Sequence, residues 1–155
     1  MPINDPDERE AMGSANPFRL WALAQHPSAQ VQELVAQNAH TPSNALVLLV
    51  GGGNPYVRET ALSHPHITSE VMFRAWEVAD MYAKVELLSF QGCPLELLTE
   101  ALREHHPERV RWAAWQQIVD EPLGSSKFEA VMRPIWPDGD FLVVPHFWIG
   151  ALFGF

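Results

Sequence analysis

An all-α fold, arranged as a short α-solenoid of helix pairs, is predicted by three features of the sequence. A 26-residue pattern repeats along the chain, apolar positions recur at helical spacing inside each repeat, and proline or glycine breaks separate the helical runs. The repeat aligns without gaps. Residues 31–56 begin VQELVAQNAHTPSNAL, residues 57–82 begin VRETALSHPHITSEVM and residues 83–108 begin AKVELLSFQGCPLELL. Val35, Ala61 and Leu87 share one column, and Ala36, Leu62 and Leu88 the next. Pro42, Thr68 and Pro94 share another, followed by Leu46, Met72 and Leu98, then by Val50, Trp76 and Leu102. The phase extends downstream to Ala113 and Ala114 and upstream to Leu20 and Leu23, so residues 16–25 read as the second half of a truncated first repeat.

Taken in order, residues 1–15 carry Asp5, Asp7, Glu8 and Glu10 without an apolar run. They are expected to be a flexible acidic leader and not a signal peptide. Residues 16–120 form the repeat domain. In each block the first helix covers the opening eight residues or so, as in 31–38, and the second runs about ten, as in 42–50. Asn16-Pro17 and Asn54-Pro55 pair a capping side chain with a proline in the first turn, where its missing N–H is not needed; Thr41-Pro42-Ser43 is expected to do the same. Gly51-Gly52-Gly53, Gly92 and the His-Pro pairs at 26–27, 64–65 and 106–107 end helices. Isolated helices need about 12–15 residues to be even marginal in water, so these shorter ones must be held by stacked neighbours.

Residues 121–155 are expected to add a C-terminal helix over 125–132, capped by Ser125 or Ser126, and an irregular aromatic segment closing the same domain. That segment holds Trp136, Phe141, Phe147, Trp148, Phe153 and Phe155 among Pro134, Pro137 and Pro145. A cap over the last repeat is the leading reading. A binding element or dimer contact is the second, and membrane attachment the third, because the uncharged run 141–155 is shorter than the roughly 20 residues of a spanning helix.

The segments VRETALSHPHITSEVM and VQELVAQNAHTPSNAL resemble leucine-rich-repeat-variant units, with their Val-Arg, small-Ala and Thr-Pro-x-x-Leu elements, and share most features of HEAT-like repeats. The resemblance spans residues 16–115 and implies a curved right-handed superhelix with exposed binding faces. Some members of that family carry an iron–sulfur cluster on cysteines ahead of the repeats. Cys93 is the only cysteine here and cannot supply one. In the third block Glu86 and Phe90 depart from the pattern.

The net charge is -9, from 19 acidic against 10 basic side chains, and a phosphate backbone is repelled by such a surface. Nucleic acid is therefore not expected as a partner, nor is a membrane; a cytoplasmic protein with a basic protein partner is. Catalytic motifs are missing. The three glycines at 51–53 are not followed by Lys-Ser or Lys-Thr, and no His-Glu-x-x-His occurs. Cys93 reads as structural, its thiol pKa lowered somewhat by a helix start. His64 and His66 with His105 and His106 would make a metal site only if adjacent turns joined them to a carboxylate, Glu104 or Glu108 being near in sequence. No metal, cofactor or catalytic residue is assigned.

The expected function is a non-catalytic protein-binding module, with an inhibitor or immunity protein that blocks a basic toxin or nuclease as one specialisation. Trp112 with Arg109 and Arg111 is the first candidate contact patch, because Trp and Arg dominate binding energetics. Trp136, Phe147 and Trp148 are the second. Two alternatives stand beside this reading. One is a structural subunit of a homo-oligomer joined through the aromatic C-terminal segment. The other is a helical-repeat enzyme such as a DNA glycosylase, which the acidity opposes.

Overall fold

The computed structural model describes residues 5–52, 54–103, 105–119, 121 and 125–135. Among these residues lie ten α-helices and no strand, as the all-α expectation requires. They are α1 (Pro6–Gly13), α2 (Pro17–Leu23), α3 (Ala29–Gln37), α4 (Ser43–Gly51), α5 (Pro55–Leu62), α6 (Ser69–Val78), α7 (Met81–Ser89), α8 (Leu95–Ala101), α9 (Glu108–Gln116) and α10 (Ser126–Met132). None is long enough to stand alone in water. The chain divides into two compact units, Met1–Ala83 and Lys84–Phe155, where the sequence reading drew a single repeat domain over 16–120.

Helix starts in the first unit follow the side chains that satisfy free N–H groups. The Asn16 side chain accepts from the Phe18 N–H at 3.0 Å, and that of Asn54 from the N–H groups of Tyr56 and Val57 at 3.0 and 3.3 Å. Each is followed by proline in the first turn. Thr68 accepts from the Val71 N–H to open α6, and the Asp80 carboxylate accepts from the Ala83 N–H in α7. Thr41 departs from its expected role. Pro42 occupies the cap position of α4 without a side-chain bond, and the buried Thr41 hydroxyl donates backward to the Val35 carbonyl.

A second departure concerns the leader. Residues 6–13 are not a loose tail but α1, capped by the Asp5 carboxylate on the Asp7 N–H at 2.9 Å. Its Ala11 is buried, and the helix packs against α3. An ion pair from Arg19 to Glu10 ties α2 to α1, and the Arg19 guanidinium holds the Glu10 carboxyl below the usual carboxylate range.

In this unit α3 packs against both α1 and α5, while α4 packs against both α2 and α6; α2–α3, α3–α4 and α4–α5 join the two rows. The columns anticipated as apolar are buried throughout: Val35, Ala61 and Leu87; Ala36, Leu62 and Leu88; Leu46, Met72 and Leu98; Val50, Trp76 and Leu102. Close approach of α4 to α6 depends on Gly51. A Cβ there would sit 2.7 Å from Val78 Cγ2 and 3.3 Å from the Ala75 carbonyl oxygen.

Polar side chains recur at the same interval as the apolar ones. Gln32 donates to the carbonyl of His26, six residues back, at 2.8 Å. Twenty-six positions later, Arg58 donates to the carbonyl of Gly52, also six residues back, and its Nε donates to the Val50 carbonyl at 3.0 Å. Arg58 is 2% exposed, and its guanidinium satisfies carbonyls at the C-terminal end of α4 that have no partner within the helix.

Asn38 and His64 form a second such pair. Each accepts from the N–H two residues on, that of His40 at 2.9 Å and that of His66 at 3.0 Å. Each also donates from its far end to chain laid down earlier. Asn38 reaches the carbonyls of Ala11 at 2.8 Å and Ser14 at 2.9 Å, and His64 Nε2 reaches the Asn38 carbonyl at 2.9 Å. Because Nδ1 of His64 accepts a bond, its ring proton is assigned to Nε2.

In the second unit α8 packs against α9 and α10. Ser125 caps α10, accepting from the Phe128 N–H at 3.2 Å as anticipated. The Thr99 hydroxyl lies 3.1 Å from the Val131 carbonyl oxygen, linking α8 to α10. Ammonium Nζ of Lys127 spans the Gln117 carbonyl at 2.9 Å and the Glu121 carboxylate at 2.8 Å. The aromatic segment from Trp136 onward, and with it the cap, interface and membrane readings, lies outside the described residues.

Candidate partner-binding surface

Helix α9 sorts its side chains by the helical period. Val110, Ala113, Ala114 and Trp115 are buried, whereas Glu108, Arg109, Trp112 and Gln116 are exposed. Arg109 and Trp112 stand three residues apart, one turn along the same outward face. Trp112 keeps 46% of its surface open to solvent. Arg111 is half-buried and so contributes less surface than its two neighbours. Of the other proposed contacts, Trp136, Phe147 and Trp148 lie outside the described residues.

The remaining tryptophans separate cleanly. Trp76 and Trp115 belong to the core, and Trp21 is 42% exposed on α2. Trp115 faces inward with its neighbour Ala114 and with Ile118, one turn further on, both fully buried.

Phe18, Tyr56 and Tyr82 are exposed aromatics that escaped the sequence reading. Phe18 is 82% and Tyr56 77% exposed. Both directly follow an Asn-Pro cap, in the second helical position, where the side chain projects from the end of the helix instead of its packed stripe. That shared Asn-Pro-aromatic triplet was the available signal. Tyr56 also borders a groove of about 360 Å³ between α3 and α5, walled by Glu33, Leu34, Gln37, Asn54 and Val57.

Cys93 is half-buried, its Sγ 3.7 Å from the Pro94 carbonyl oxygen. Burial pushes its thiol up to about 12, opposite to the lowering expected of a helix start. At pH 8 iodoacetamide should therefore modify Cys93 in the folded protein at least ~100-fold more slowly than in the urea-unfolded chain, measured by intact mass. Equal rates in the two states would show the thiol to be open.

His64 and His66 are engaged by backbone within the first unit, Nδ1 of His66 lying 3.5 Å from the Thr41 carbonyl oxygen. Among the described residues, the one group of three side chains with metal-ligand chemistry is Glu100, His105 and His106. Burial, followed by the neighbouring His105, holds the His106 imidazole below the usual histidine range. Among the described residues no helix is long and apolar enough to cross a membrane. Compared with protein-family models, curated proteins and solved structures, the chain matches none.

Proposed function

We propose that the chain is a non-catalytic protein-binding module, a short α-solenoid of roughly 26-residue helix pairs that engages a basic protein partner. The solenoid reading is supported by the two rows of packed helices in the first unit and by bonds that recur 26 positions apart, Gln32 with Arg58 and Asn38 with His64. The resemblance to leucine-rich-repeat-variant and HEAT-like units points the same way. Exposure of Trp112 beside Arg109 is the observation that carries the binding reading. A tryptophan left half open on a helix whose other face is packed gains several-fold more from a partner than a polar residue would, and Trp and Arg are the residues enriched where binding energy concentrates. A net charge of -9 favours a partner of opposite sign and speeds encounter with it. Inhibition of a basic toxin or nuclease is the specialisation this chemistry suits.

The test uses tagged full-length chain as bait in its native host, with Trp112→Ala and Arg109→Ala beside it. The melting temperature of each variant is measured beside that of the parent, so that a loss of binding is separated from a loss of fold. A genuine partner is retained by the parent, weakens as salt rises, and loses about 2 kcal/mol, roughly 30-fold in affinity, on Trp112→Ala. A partner held equally by the parent and both variants would place the contact elsewhere and remove this surface from consideration.

A further inference from the structure

Three side chains of the kind that bind zinc converge where α8 ends and the turn toward α9 begins. Nε2 of His105 lies 3.2 Å, and Nε2 of His106 3.5 Å, from one and the same oxygen, Oε1 of Glu100. The three donor atoms all lie within 4.8 Å of one another. A zinc ion bound at about 2.0–2.1 Å by imidazole nitrogen and carboxylate oxygen in tetrahedral angles holds its ligand atoms about 3.3 Å apart. The two nitrogen–oxygen distances bracket that value.

We propose that Glu100, His105 and His106 form a divalent transition-metal site suited to zinc, with Oε1 of Glu100 and Nε2 of each histidine as ligands. Imidazole and carboxylate together match the borderline softness of zinc and are poor cages for calcium or magnesium. Oε2 of Glu100 is already occupied by Arg103, whose Nε lies 2.8 Å away. That bond leaves Oε1 as the single metal-facing oxygen and gives the carboxylate the outer-shell partner that metal ligands ordinarily have. Arg103 is a positioning residue here, not a ligand.

All three ligands fall within seven consecutive positions, so closing the chelate orders little chain. The His105 side chain is 62% exposed and that of His106 10% exposed. An ion therefore enters from the His105 side, and water completes the tetrahedron there. Lys84 acts on His106 as a nearby positive charge and lowers the affinity below that of a site without it. Bound zinc would pin the α8–α9 turn within the second unit and lock the end of α8 to the start of the helix that carries Trp112.

The test is titration of chelator-stripped full-length protein with zinc chloride alone, by calorimetry and by melting temperature. One equivalent should bind, and the melting temperature should rise at saturation. His105→Ala should lower the affinity at least ~10-fold and abolish the rise, and Arg103→Ala should lower it about 10-fold through the carboxylate. His40→Ala, at an exposed histidine of the first unit, should change neither. Should His106→Ala or Glu100→Ala unfold the second unit, His105→Ala still decides, because His105 sits on the surface. Absence of zinc binding by the parent, or an affinity unchanged in His105→Ala, overturns the proposal.

Discussion

Replacing Arg58 by alanine should destabilise the protein by about 3–5 kcal/mol and lower its melting temperature by about 10 °C. Two carbonyls at the end of α4, those of Val50 and Gly52, lose their donor, and each acceptor stranded away from water costs about 1–3 kcal/mol. The stem of a side chain only 2% exposed leaves a void as well. Against a total stability of about 5–15 kcal/mol this is a large fraction.

Two further substitutions separate the causes. Arg58→Lys keeps charge and length but not the planar fork that holds two carbonyls at once, so most of the loss should remain. Arg58→Gln should recover part of it, because Gln32 makes the single equivalent bond to His26 from the matching position. Thermal unfolding followed by circular dichroism checks the series. An alanine variant that melts with the parent would show that α4 does not need this clamp.

Loss of the His64 side chain comes second, at about 2–3 kcal/mol for His64→Ala. The ring accepts from the His66 N–H and donates to the Asn38 carbonyl, so alanine strands a donor and an acceptor together. His64→Asn should restore more than half of the stability, because Asn38 performs both tasks with an amide. His64→Phe should not, for phenylalanine has neither a donor nor an acceptor, although Phe90 stands at that interval in the following block. Chemical denaturation in urea gives the three values. An asparagine variant as unstable as the alanine one would refute the equivalence of Asn38 and His64.

The core was legible in the sequence because burial follows a period, and every column assigned as apolar is buried. Helix starts at Asn16, Asn54 and Ser125 were legible because their partners lie within three residues of the cap. Helix α1 was not: only Ala11 is buried in it, so no apolar periodicity marks it. The pair Asp5-Pro6 is the same device as Asn16-Pro17 and was the sign to follow. Arg58 shares its column with Gln32 and Lys84, a polar set that reads as surface until the carbonyls it serves are located, and backbone acceptors leave no trace in residue identity. Thr41 misled for a related reason, since a hydroxyl before Pro-Ser reads as a cap whichever way it turns.

The candidate surface was half legible. Trp112 and Arg109 share the outward face of α9 as the residue types suggested, whereas Arg111 is drawn partly inward. Phe18 and Tyr56 went unnoticed because helix-end aromatics fall outside the packed stripe that a periodic reading follows. Glu100 escaped because five residues to His105 is not a spacing that a straight helix brings together; the turn after α8 does so.

The recurring polar bonds of the first unit all point one way along the polypeptide. Gln32 reaches His26, Asn38 reaches Ala11 and Ser14, Arg58 reaches Val50 and Gly52, and His64 reaches Asn38. In each case the donor emerges from the ribosome after its acceptor. A nascent chain can thus fasten each new segment onto one already made, and no acceptor in this set waits on the portion still to be translated.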